Sequence, residues 1–181
     1  VDSHFIENQV KQVAQSSTII CSAPILPPET VLVNHRIPTY ITMVNFSEEK
    51  GKNIFRSLAR ALPNKEFLAI RSWMPFGLPK IKNQNITIDG PYKNIKKIYE
   101  KTRILVIPTK MEETFGQVAF EAMQNGIPVV ASKIGALAEV VGDGGILISK
   151  MQDVNQWITE IKKLDDENYY TLLSQRAKQQ A

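Results

Sequence analysis

The chain has 181 residues, of which 43% are hydrophobic and 22% charged, and a net charge of +4. That is enough for one domain with a real core, and the modest positive charge suits an anionic small molecule or a weak contact with acidic lipid. No Lys/Arg cluster interleaved with aromatics is present, which argues against nucleic acid, and no apolar run approaches the ~20 residues needed to cross a bilayer.

Cys21 is the single cysteine, so an internal disulfide is excluded and a reducing, cytoplasmic compartment is expected. The chain opens on Val1 with no secretory leader and runs directly into patterned sequence, as expected of a piece of a longer polypeptide. Asp2 or Ser3 can cap a first helix through about Gln15, with Phe5, Ile6, Val10 and Val13 on its apolar side. A short strand over Ser17 to Cys21 follows. Pro24, Pro27 and Pro28 then break regular structure, so residues 1–36 read as the end of one domain plus a linker, and 37–181 as a second domain.

From there strands and helices alternate. Strands are expected at Thr39 to Val44, Glu66 to Ile70, Ile86 to Ile88, Ile104 to Ile107, Ile127 to Ala131 and Gly145 to Ile148. Helices are expected from near Gly51 and over Ile95 to Glu100, Gly116 to Gln124, Gly135 to Val141, Val154 to Leu164 and Glu167 to Lys178. Asp153 and Asp165 are the expected caps of the last two. A loop carrying Pro and Gly spans Ser72 to Asn85. Near-continuous apolar strands separated by helices predict an α/β fold: a Rossmann-like, doubly wound parallel sheet covered on both faces.

The chemistry concentrates between Ile104 and Ile148. Glu113 and Glu121 lie eight positions apart. On one continuous helix that is ~12 Å along the axis, beyond the ~5 to 9.5 Å of a glycosidase carboxylate pair. The spacing makes sense with Glu113 on a loop and Glu121 inside the helix, addressing two ends of an extended ligand. Between them the backbone N–H groups of Phe115, Gly116 and Gln117 point out of the helix start and, with the helix dipole, form an anion site. Gly116 allows close approach of a phosphate. Glu121 is a natural acceptor for vicinal ribose hydroxyls. Taken alone, the two glutamates are more simply favourable charges near a helix N-terminus.

The flanking segments, IPTKMEETFGQVAFEAMQNGIPVVAS and GALAEVVGDGG, resemble the retaining glycosyltransferases of the GT-B fold, the family-four or group 1 type, over about Val44 to Ile148. The resemblance implies that this chain is the C-terminal half of such an enzyme and binds a nucleotide diphosphate sugar donor. It places Glu113 near the donor sugar and Glu121 on the ribose. The phosphates would rest on the backbone of Thr114, Phe115, Gly116 and Gln117; Thr114 stands where the family often has glycine. Asn45 to Gly51 (NFSEEKG) matches the family's Gly-Arg-x-x-x-x-Lys-Gly segment, which implies a diphosphate contact for Lys50. The family's arginine falls at Asn45, which can hydrogen-bond a phosphate without neutralising it.

Arg71 either replaces that missing charge or is a strand-end arginine in water. Trp73 either covers the base or packs in a core or interface. Tyr92, in Gly90-Pro91-Tyr92, is a candidate contact to the base. Glu139 is expected to cap or brace the short helix that carries it, and Asp143 to Gly145 to form a tight turn. His4 and His35 accompany no nucleophile motif, and no Cys/His cluster supports zinc, so neither a hydrolase triad nor a metal is expected. The implied activity is hexosyl transfer with retention, as in glycan or glycoconjugate assembly. The acceptor glycan or lipid would be met through the N-terminal domain, with the isolated chain inactive. Peripheral association of the full-length protein with a membrane surface is left open. The alternatives are a non-catalytic nucleotide-sugar-binding module and a related GT-B enzyme, an epimerase or a sugar-phosphate synthase.

Overall fold

The computed structural model describes residues 1–14, 38–71 and 84–181. The expected strand at 17–21, the linker with its boundary near Ile37, His35 and Trp73 lie outside those residues.

The apolar runs form six strands: β1 (Tyr40–Val44), β2 (Phe67–Ile70), β3 (Ile86–Asp89), β4 (Thr102–Ile107), β5 (Val129–Ser132) and β6 (Ile146–Ile148). Among the described residues they make one sheet in the order β3-β2-β1-β4-β5-β6, and every adjacent pair is parallel. The strand order reverses between β1 and β4, which leaves a crevice at their carboxyl ends. Seven helices accompany the strands among the described residues: α1 (His4–Val13), α2 (Lys52–Ala61), α3 (Lys96–Tyr99), α4 (Gln117–Gln124), α5 (Leu137–Val141), α6 (Val154–Lys163) and α7 (Glu167–Gln180).

Side chains alternate across the strands and build a core on each face. Met43, Ile104 and Val106 pack with Phe55 and Leu58 of α2 and with Trp157 and Ile161 of α6. Leu105, Val129 and Ala131 pack with Ala122 and Met123 of α4 and Leu137 of α5. The buried Trp157 indole donates to the Met151 carbonyl at 3.0 Å, so its one polar atom is satisfied.

Most expected elements are present with ends moved by one or two residues. β4 starts at Thr102, earlier than hydropathy suggests, because a polar residue is paired inside the core. Thr102 Oγ1 lies 2.8 Å from Thr42 Oγ1 and 2.7 Å from the Ile98 carbonyl, and both threonines are fully buried. β5 starts later than expected because Ile127 belongs to the end of α4. The Gly126 and Ile127 amides donate to the Met123 and Ala122 carbonyls at 2.8 and 3.0 Å, closing that helix in a Schellman turn. Ser3 caps α1 and Asp153 caps α6. The expected cap at Asp165 is corrected to Asp166, whose carboxylate accepts the Tyr169 amide at 2.8 Å; Asp165 instead pairs with Lys65. Asp143 lies in a short 3-10 turn, Gly142–Gly144.

Candidate functional site

An open cleft lies at the crevice between β1 and β4. Val44 and Asn45 of the β1 end, Ile107 and Pro108 of the β4 end, and Gly116 to Ala119 at the start of α4 line it. Lys50 and Glu113 complete it. Three stretches far apart in the chain therefore line one cleft.

Two turns deliver these groups. Asn45, just past β1, has φ 61, a left-handed conformation that asparagine tolerates better than most residues. Gly51, ahead of α2, has φ 88, and a Cβ there would stand 1.9 Å from the Pro108 carbonyl oxygen. Only glycine lets the start of α2 rest on the end of β4, and that contact sets Lys50 beside the cleft. Its Nζ lies 2.5 Å from Glu113 Oε1, with both side chains roughly three-quarters buried. Each group thus neutralises the other.

The start of α4 forms another wall. Its N-cap, Gly116, has φ 91, and no side chain caps the helix. The amide-bearing end of an eight-residue helix therefore faces the cleft without an internal anion. Phe115 leans on Phe120 with ring centroids 5.6 Å apart, and the Thr114 carbonyl accepts the Ser3 hydroxyl at 2.5 Å. One turn into α4, Glu121 is only 5% exposed. Its Oε2 accepts the Tyr99 hydroxyl at 2.6 Å and its Oε1 accepts Gln117 Nε2 at 3.0 Å. Burial, then the charge of Glu121 and the hydrogen bond to it, push the Tyr99 hydroxyl well above 10.0, so it stays a donor. Tyr99 was not singled out by sequence; the only signal was an aromatic on the apolar side of a short helix.

The remaining candidates lie at the β2–β3 side. Arg71 Nε donates to the Gly90 carbonyl at 2.6 Å. The Tyr92 hydroxyl donates to Asp89, with Lys101 Nζ 3.1 Å from both the hydroxyl and the carboxylate. The Tyr92 hydrogen bond, more than the backbone and Lys101 contacts, holds Asp89 below its usual range. Arg71 and Tyr92 do not line the cleft described above, and neither do Thr114, Phe115 and Glu121. Glu139, expected to cap or brace its own helix, instead reaches α1: its two oxygens accept the His4 and Phe5 amides at 3.2 and 3.4 Å. Among the described residues no group of three or more His, Cys, Asp or Glu side chains is placed to hold a metal ion. No described helix is long and apolar enough to cross a membrane.

This geometry has counterparts among known proteins. The D-inositol 3-phosphate glycosyltransferase of Corynebacterium kroppenstedtii is 36% identical over 80 residues, 43% of this chain and 17% of that protein. Sucrose-phosphate synthase from Thermosynechococcus elongatus superposes over 99% of this chain and 52% of its own, with a TM-score of 0.78 and 19% identity. Anabaena HepE in complex with UDP-glucose superposes over 78% of this chain and 43% of its own, with a TM-score of 0.65 and 18% identity. The fold is the C-terminal, Rossmann-like half of a GT-B glycosyltransferase. The chain belongs to the family described as "Glycosyl transferases group 1", whose model matches residues 69–166, more than half of it. It spans about half or less of the length of these relatives.

Proposed function

We propose that this chain is the donor-binding half of a glycosyltransferase that takes a sugar from a nucleotide diphosphate and transfers it with retention at the anomeric carbon. The observation that carries this reading is the Lys50–Glu113 pair set against the uncapped start of α4 at the strand-order reversal. A diphosphate would meet Lys50 and the α4 amides, a preorganised positive region for the charge that develops as the bond from the anomeric carbon to the phosphate oxygen breaks. Glu113, released from Lys50, would turn its carboxylate to the sugar. Glu121, oriented by Tyr99 and Gln117, has lone pairs left for the ribose hydroxyls. The UDP-glucose held by HepE supports a nucleotide-sugar donor. Arg71 and Tyr92, on the β2–β3 side, would lie toward the base. The acceptor, a glycan or lipid, and the remaining wall of the site would come from the rest of the full-length protein, and this chain alone would transfer little. A cytoplasmic location, at the membrane surface when the acceptor is a lipid, fits the same reading.

A second reading, a nucleotide-sugar-binding module without transfer, draws on Asn45, an uncharged residue on the cleft wall where the family carries arginine. Titration of the chain with UDP- and GDP-sugars, read by ligand-observed NMR, together with a transfer assay on the full-length protein, tests both. Binding with transfer supports the first reading, and binding without transfer the second. Glu121→Ala should weaken UDP and GDP binding by about tenfold; unchanged affinity for both would remove the ribose assignment.

A further inference from the structure

α1 alone among the described helices contributes no residue to the hydrophobic clusters that cover the sheet. Its N-terminus is nevertheless tied to the far end of the chain. The two Glu139 oxygens accept the His4 and Phe5 amides, the first donors of the helix. Ser3, 2% exposed, accepts the Ile6 amide at 3.3 Å and gives its own proton to the Thr114 carbonyl at 2.5 Å. Gln9 Nε2 adds a contact to Glu112 Oε2 at 3.3 Å.

The same loop is gripped from its other side by the approach to α5. The Ala136 amide donates to the Glu113 carbonyl at 2.9 Å. Gly135 lies so close that a Cβ there would be 2.6 Å from the Glu113 nitrogen. The loop from Glu112 to Thr114 is thus clasped between α1 and the start of α5, and Glu139, which stands on α5 and holds α1, joins the two jaws.

We propose that Glu139 is a positioning residue: through α1 it closes the clasp that keeps Glu113 against Lys50 in the cleft, so that displacement of α1 loosens the donor loop. A carboxylate accepting two amides at a helix start is a charge-assisted contact that no neutral side chain reproduces in full. Its own helix α5 has no side-chain cap, so Glu139 serves the neighbouring helix rather than its own. The meaning for donor affinity rests on the function proposed above; the clasp itself does not.

Single-amide hydrogen exchange on the 181-residue chain, paired with UDP titration, tests this. In Glu139→Ala the amides from Glu112 to Gln117 should exchange about tenfold faster while those of β4 and β5 keep their rates, as loss of a charge-assisted contact at a locally opening segment predicts. Glu139→Gln, which keeps one acceptor oxygen, should fall between, and UDP affinity should fall in the same order, because the Phe115 to Gln117 amides proposed to meet the diphosphate lose their fixed placement, a loss that freeing Lys50 from Glu113 does not make good. Accelerated His4 and Phe5 amides with an unchanged loop would overturn the proposal. Should Glu139→Ala fail to fold, Ser3→Ala cuts only the Thr114 contact and must still accelerate the loop; wild-type loop rates in that variant would equally overturn it. If UDP binds no form of the chain, the donor reading fails while loop exchange still decides the clasp.

Discussion

Lys50 and Glu113 make opposite demands on an arriving anion. Their contact at 2.5 Å must open before a diphosphate can take the ammonium. Lys50→Ala should therefore weaken UDP by about tenfold and leave uridine unchanged, since one charged hydrogen bond contributes about 1.5 kcal/mol or more. Glu113→Gln should do the reverse to binding: UDP tightens a few-fold as the competing carboxylate disappears, while transfer by the full-length protein falls. Calorimetric titration of both variants checks the signs, and equal losses for UDP and uridine would contradict the phosphate role of Lys50. Tyr99 acts through a different group. Tyr99→Phe leaves the buried Glu121 with one fewer donor and should cost about 2 kcal/mol of stability in denaturant unfolding. It should also change the alkaline limb. The Tyr99 hydroxyl is held well above 10.0 in the fold, so above that pH the unfolded chain sheds a proton the native chain keeps. That contribution is complete below pH 10.0 and is lost as pH rises past it, and the phenylalanine variant should show a correspondingly shallower decline.

At the scale of elements, what could be read in advance was what local pattern encodes. The apolar strands, the amphipathic face of α2 and the caps at Ser3 and Asp153 are properties of short windows, and each was legible. The meeting of Asn45, Lys50 and Glu113 at one cleft was implied by the family resemblance, and parallel strands, which bring their carboxyl ends to one edge, allow it. Thr102 was missed as a strand residue because its partner, Thr42, is sixty positions away. Glu139 was assigned to its own helix because nothing local reveals that α1 docks on it. Tyr99 was passed over because its value to Glu121 depends on the packing of α3 against α4. The same dependence on distant partners explains Gly51. Sequence marks it as the start of a helix, but the Pro108 carbonyl occupies the space a side chain would need. Gly51→Ala should destabilise the fold by more than about 2 kcal/mol, through both backbone strain and the forced separation of α2 from β4. It should also weaken UDP, because Lys50 is the residue before it. A variant with wild-type melting temperature would show that this contact yields more readily than the geometry implies.

At the scale of the molecule, we propose a division near residue 37, and the described residues on its two sides make different kinds of contact. Among the described residues, every member of the clusters that cover the sheet lies at Tyr40 or beyond. α1 is joined to the rest by polar contacts to Glu139, Thr114 and Glu112 and buries none of its own residues. On its apolar side Phe5, Ile6 and Val10 are half-buried and Val13 is 86% exposed. If that division is right, a chain beginning at Pro38 should keep a single cooperative transition, because the clusters that cover the sheet draw on none of the described residues before it. The donor loop should respond differently from the core, with exchange at Phe115 and Gln117 rising as it does in Glu139→Ala while the central strands remain protected. Equilibrium unfolding in urea followed by tryptophan fluorescence, to which the buried Trp157 of α6 contributes, and by circular dichroism reads the first outcome. A broad or non-cooperative transition would mean that the segment before Pro38 belongs to the core of this domain and that the boundary lies elsewhere.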